Sequence, residues 1–306
     1  YQSVGTGPLL LAVKFVLALV LIFPPAFCMG GTIPVIGQFL IRKEGQFGVT
    51  AARLYGVNTL GAALGAFLTG FYLVHLLGLK LTCAFAIAMT GIVAATAYRL
   101  SRRSAPSALG APAPLPASTE DANEPKEVSH NDRGLDRAAL YLVCFLSGFG
   151  VLALEVLWTR MFAQVHENSI YSFSSVLVIV LLSLALGALV ASKLARLSVP
   201  PARLLAGLLI LSGLAVTASP FMFMSLTNDL QMLDTTGSFQ RYVLHLFATG
   251  AAFIGVPSLV LGTVFPFLMK TEERFVLQPG NSLGRLSAVN TVGAILGSVL
   301  CGFVML

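Results

Sequence analysis

Eight runs of roughly twenty apolar residues recur along the chain, at about 8–30, 55–76, 79–98, 138–160, 171–194, 202–224, 241–266 and 286–306. Each is long enough to carry an α-helix across a hydrocarbon core of ~30 Å. A chain with this pattern has one fold class open to it, an all-α polytopic membrane protein with about eight transmembrane helices visible. Charge agrees: 10% of residues are charged and mean hydropathy is +0.86, against about 25% charge in a soluble domain. The net charge of +6 therefore bears on topology and gives no reason to expect a nucleic-acid partner. The expected partner is the lipid bilayer.

The runs are not independent. "GVNTLGAALGAFLTGF" at 56–71 returns as "AVNTVGAILGSVLCGF" at 288–303. Asn290 minus Asn58 gives an offset of 232, and the same offset pairs Pro25 with Pro257, Gly30 with Gly262 and Pro34 with Pro266. It also pairs Arg42 with Arg274, Gln46 with Gln278, Gly48 with Gly280 and Arg53 with Arg285. Without a gap, 18 of the 49 positions from Phe23 to Phe71 are identical to their counterparts in Gly255–Phe303. Shared apolar composition matches Leu with Leu, but not Pro, Gly, Arg, Gln and Asn in register. The chain contains an internal duplication.

Topology follows from Lys and Arg, which resist translocation and collect on the cytoplasmic side. With connections alternating sides, 15 of the 19 basic residues fall after the first, third, fifth and seventh runs. Only Lys14, Lys80, Arg160 and Arg241 fall on the other side. Six crossings separate the two copies, so both point the same way, as in parallel repeats of six helices of major-facilitator type. Residues 1–100 then form the C-terminal half of a first membrane repeat, and 138–306 a second repeat whose last helix is missing. Between them, 101–137 is rich in Pro, Ala, Ser and charge and reads as a flexible cytoplasmic linker. The chain starts at Tyr1 and ends inside an apolar run, the pattern expected of a piece of a longer polypeptide.

Within the duplicated motif, Gly61 and Gly65, and likewise Gly293 and Gly297, form GxxxG pairs. Four-residue spacing puts both glycines on one face, where another backbone can approach closely. Asn58 and Asn290 lie one turn earlier and can clamp that crossing or line a transport path. Pro25, Pro34, Pro257 and Pro266 mark kinks or ends, so "MGGTIP" and "LGTVFP" are expected breaks near the cytoplasmic interface.

Glu155, in "VLALEVLWTR", is the only acid well inside a predicted span. A carboxylate there is costly, so it must face the protein interior, pair, or stay protonated. Trp158 and Arg160 follow as interfacial anchors, Arg160 a candidate member of the same site, and Lys14 in the first run is a candidate partner. His75, His166 and His245 fall toward the extracytoplasmic side; no two share a ligand spacing, and ordinary interfacial histidines are the expectation, with no metal. "HENSIYSFSSVLV" at 166–178 opens a helix with hydroxyls suited to capping and back-bonding. Cys28, Cys83, Cys144 and Cys301 read as small hydrophobes. No P-loop, dinucleotide fingerprint, nucleophile elbow or HExxH is present, so no catalytic or cofactor-binding residue is expected in this chain.

"FPPAFCMGGTIPVIGQ", "ARLYGVNTLGAALGAFLTGF", "LSGFGVLALEVLWTRMF" and "NSIYSFSSVLVIVLLSLALGALVASKLA" together resemble the membrane portion of spermidine-synthase-like membrane proteins, fused major-facilitator/spermidine-synthase chains. The resemblance implies a following soluble aminopropyltransferase-like domain of Rossmann-like fold. Such a domain carries a Gly-rich acidic loop for decarboxylated S-adenosylmethionine and a catalytic Asp, neither of which matches a position here. It implies for this chain an anchoring or polyamine-serving module, with any activity residing in that missing C-terminal domain. Two other readings stand beside it: a transporter of a small solute using Glu155 as a proton or cation site, and a non-catalytic integral subunit held by partner subunits. The expected location is a bacterial inner membrane.

Overall fold

The computed structural model describes residues 8–41, 47–103, 136–166, 169–197, 199–228, 230, 238–272 and 279–304. Among these the secondary structure is helical throughout, with ten α-helices. Seven stretches are long and apolar enough to cross a membrane, so the chain is an integral membrane protein by length and composition. The eight predicted spans become seven stretches because 55–76 and 79–98 fall in one 56-residue run, Phe47–Arg102. That run comprises α3 (Phe47–Leu68), a π turn (Thr69–Leu73) and α4 (Val74–Arg103). It is divided at Gly78, whose φ of 73° lies in the left-handed region that side chains with a Cβ avoid.

Two compact units result, residues 1–66 with 135–306, and residues 67–134. Of the stretch expected to be a linker, 104–135 lies outside the described residues, and α4 carries helix as far as Arg103. The larger unit contains α1 (Pro8–Gly30), α2 (Thr32–Leu40), most of α3, and α5 (Arg137–Val165) through α10. Local chemistry marks several starts. Ser169 caps α6 (Ile170–Leu194) by accepting from the Ser172 N–H at 3.2 Å. Pro201 opens α7 (Pro201–Leu226) with its φ already helical. Ser238 caps α8 (Phe239–Gly250). The expected back-bonding is also present, Ser175 donating to the Ser172 carbonyl at 2.8 Å.

The two segments related by the offset of 232 fold differently. In the first, the chain breaks at Gly31, between α1 and α2, as "MGGTIP" leads one to expect. In the second, α8 passes through a π turn (Ala251–Gly255) into α9 (Val256–Glu272), and "LGTVFP" lies inside a continuous helix, with Pro266 internal. The expected second break is corrected, for a local reason. Thr263 stands where the first copy has Gly31, and its hydroxyl donates to the Val260 carbonyl at 2.6 Å. Gly262 meanwhile lies against the Leu184 backbone of α6, which holds α9 straight along its neighbour.

The GxxxG pairs diverge in the same way. On α10 (Pro279–Phe303), Gly293 and Gly297 press on the carbonyls of Phe145 and Phe149 of α5, and Gly148 of α5 presses on the Asn290 carbonyl. Three missing side chains thus let two backbones meet, and the Cys144 thiol donates to the Leu286 carbonyl at 3.2 Å alongside. On α3, a Cβ at Gly61 or Gly65 would meet nothing within 4 Å. Among the described residues, the tight crossing expected of both copies is seen in the second. The first is buried through its other side, Ala51, Ala52, Gly56, Thr59 and Ala63, with Gly56 against Ala185 and Ala188 of α6.

Two apolar clusters hold the larger unit together. One gathers Phe47, Leu140, Phe265, Leu268, Leu283 and Leu286. The other gathers Trp158, Phe162, Phe223, Leu246 and Phe253. Trp158 is therefore core, not the interfacial anchor its position near the end of the run implies. It is 2% exposed, and its indole N–H donates to the Ser219 hydroxyl at 3.2 Å.

Candidate functional site

A cavity of about 400 Å³ opens between five helices of the larger unit. α3 supplies Tyr55, Asn58 and Thr59, α5 supplies Ser147 and Glu155, and α10 supplies Asn290. Leu177, Leu181 and Leu184 of α6 and Leu261, Phe265 and Pro266 of α9 complete an apolar wall. Three of the residues singled out in the sequence thus converge: Glu155 and the paired asparagines Asn58 and Asn290. The same position in each copy of the motif contributes to one shared space. Sites built in this manner between packed helices, apolar with a few polar groups, are the usual form of small-molecule pockets.

The polar groups have an unusual accounting. The Glu155 side chain has neither an ion pair nor a hydrogen bond among the described residues. Its own backbone carbonyl accepts from Thr159 at 2.7 Å, so only the carboxylate is left to interact with something else. The Ser147 hydroxyl is buried without a partner, rather than back-bonded like Ser212 or Thr217. The Asn290 Oδ1 is also buried and unpartnered. Thr59, in contrast, is satisfied by the Tyr55 carbonyl at 2.9 Å. Among the described residues, no Lys, Arg or His lines the cavity. Its field is that of one acid with unspent amide and hydroxyl groups, set in apolar and aromatic walls, with Tyr55 and Phe265 edge-to-face at 5.3 Å.

The other candidates lie elsewhere. Arg160 is exposed and does not line the cavity, and Lys14 is exposed on α1. Gly293 and Gly297 shape the α5–α10 contact that presents Asn290, whereas Gly61 and Gly65 stand open. His166 is 4% exposed, its ring 4.3 Å from that of Phe162 and both nitrogens unpartnered. Burial, and secondarily the nearby His245, pull its pKa from 6.5 down to about 4. His75 lies on α4 in the other unit, and no group of three or more His, Cys, Asp or Glu suited to a metal occurs among the described residues.

Sequence reading missed Ser147, whose type and neighbours are unremarkable, and Tyr55 and Phe265, which look like any aromatic in an apolar run. It also missed a buried acid. Glu272 is 0% exposed at the end of α9, which runs six residues past the predicted boundary at 266. Arg137 at the start of α5 faces it at 3.8 Å.

Comparison with protein-family models, with curated proteins and with solved structures returns no match.

Proposed function

We propose that the chain is a solute-handling membrane module whose working site is the Glu155 cavity, and that the solute is a small cation. The observation behind this reading is the Glu155 carboxylate, unpaired among the described residues, in a cavity whose described wall holds no basic residue. A lone intramembrane acid is expensive to maintain, and such acids characteristically serve substrate or ion pathways. The duplication supports the same reading. Asn58 and Asn290 come from equivalent helices, and transporters built of repeats place their sites where the repeats meet. On this reading α1–α4 and α5–α10 belong to parallel six-helix repeats of major-facilitator type, and the basic residues set the 101–137 side as cytoplasmic in a bacterial inner membrane.

The anchoring of a soluble aminopropyltransferase-like domain is compatible with this and is favoured by one observation. The E-V-L-W-T-R run that carries the family resemblance is the run that supplies Glu155. In that case the module serves amine traffic beside the enzyme.

The test is charge movement in proteoliposomes on a solid-supported membrane after concentration jumps of organic cations, organic anions and neutral sugars. Cations are expected to give transient currents that Glu155→Gln abolishes while the variant stays monodisperse. Currents of wild-type size in E155Q, or currents from anions alone, refute the reading.

A further inference from the structure

We infer that two contacts, Gly48 with Lys270 and Gly280 with Gln38, are the halves of one latch that shuts one end of the Glu155 cavity and releases as a unit. The end in question is the one where Arg53, Arg137, Lys270 and Arg285 lie. The latch rests on the cation-site reading above for what it guards, and on nothing in that reading for whether it moves. A Cβ at Gly48, in the first turn of α3, would stand 2.7 Å from the Lys270 Cα of α9. A Cβ at Gly280, in the first turn of α10, would stand 2.8 Å from the Cβ and the Oε1 of Gln38 on α2. Gly280 minus Gly48 is 232, and Lys270 minus Gln38 is also 232, the offset of the duplication. Each copy thus lays the start of its second helix on the same residue of the other copy's preceding helix. Such an exchange, i with j and j with i, is the signature of a two-fold relation between halves.

The same helix turns carry an apolar plug. Phe47 and Ala51 of α3 share one buried cluster with Leu268 and Met269 of α9 and Leu283 and Leu286 of α10. The cavity begins about one turn further along each helix, at Tyr55, Phe265 and Asn290. A plug made from both copies parts only when the copies move apart, and a rigid movement of one against the other opens both contacts together. Neither contact resists strongly. One is van der Waals contact across a missing side chain. The other is a single neutral hydrogen bond, the Gly280 N–H donating to the Gln38 Oε1 at 2.7 Å, at a helix start that has no acceptor of its own to offer. A lysine ammonium accepts no hydrogen bond, so the two halves share a geometry and differ in chemistry. The Gly280 amide is therefore the reporter of opening.

Hydrogen exchange of the Gly280 amide, resolved by fragmentation mass spectrometry on the purified protein in lipid nanodiscs, tests this without a solute. Gln38→Leu removes the acceptor and sets the rate of the released amide. Gly48→Ala changes only the other half, wedging α3 against the Lys270 backbone, and is expected to speed Gly280 exchange about tenfold. Gly48→Cys with Lys270→Cys, made with Cys28→Ser and Cys83→Ser, puts two Cβ atoms 2.9 Å apart, a small displacement from the roughly 3.8 Å of a disulfide. The oxidised pair is expected to slow Gly280 exchange about tenfold relative to the same variant reduced. A Gly280 amide indifferent to the lock overturns the latch, as does a cysteine pair that does not oxidise. Indifference to Gly48→Ala in a variant that stays monodisperse does the same. Cation currents, measured as above, separate the two readings. Loss on oxidation with recovery on reduction supports closure of the cavity, and wild-type currents through the locked protein overturn it. Absence of currents from wild type strikes the solute reading alone, and Gly280 exchange still decides the latch.

Discussion

Alanine at Gly293 and at Gly61 should have opposite effects, although the two glycines occupy the same position in two copies of one motif. At Gly293 an added Cβ runs into the carbonyl oxygen and carbon of Phe145. The obstacle is backbone on a packed helix, not the mobile end of a side chain, so α10 must move away from α5. Overpacking of this kind costs about 3 kcal/mol at the upper end of its usual range. The gain in helix propensity from Gly to Ala returns about 1 kcal/mol, so the net loss is about 2 kcal/mol. At Gly61 nothing lies within 4 Å, and only the gain of about 1 kcal/mol remains. The two variants should therefore differ by about 3 kcal/mol. Unfolding in mixed micelles with increasing SDS measures this, with the single tryptophan, buried Trp158, as the reporter. Gly297→Ala against Gly65→Ala repeats the comparison one turn along. Equal destabilisation by both members of either pair would refute the asymmetric packing and mean that a helix covers the α3 face as α5 covers α10.

Other outcomes follow from particular contacts. His166 has a folded pKa of about 4 against an unfolded 6.5, so the unfolded chain takes up the proton first. The neutral ring's full stabilisation is present above about pH 6.5 and is lost as pH falls toward 4, by about 3 kcal/mol at most; His166→Phe should flatten that part of a stability–pH curve. Removing Arg137 as Arg137→Met leaves Arg285 as the cation still acting on the buried Glu272 and, because Arg137 is half exposed, should cost about 1 kcal/mol. Adding Glu272→Gln should recover much of that loss, and additive effects in the double-mutant cycle would count against the pair. Ser219→Ala should cost about 1 kcal/mol and shift the Trp158 emission, because it removes the indole's acceptor.

Helix number and residue type carried much of this architecture into view, and helix faces did not. Glu155 stood out because an acid in an apolar run is costly wherever it points, and Asn58 and Asn290 stood out because they recur. Their meeting in one cavity was not legible, since a membrane helix is apolar on every side and offers no stripe to orient it. For the same reason the two GxxxG pairs look equal in sequence, while among the described residues a partner backbone meets only the second. Trp158 was misplaced by the habit of Trp at interfaces, overridden here by Ser219 on a neighbouring helix. Glu272 was hidden because a hydropathy run ends where polarity begins, whereas the backbone hydrogen bonds of α9 continue through Lys270 and Thr271.

Because one wall of the cavity comes from α3 and the others from α5, α6, α9 and α10, neither the residues before 104 nor those after 135 enclose it alone. Two fragments cut between residues 104 and 135 and made separately would each present an open half-bowl to lipid. If the cavity takes a solute as proposed, occupancy would then appear only when the fragments find each other, and affinity would report correct assembly in the membrane.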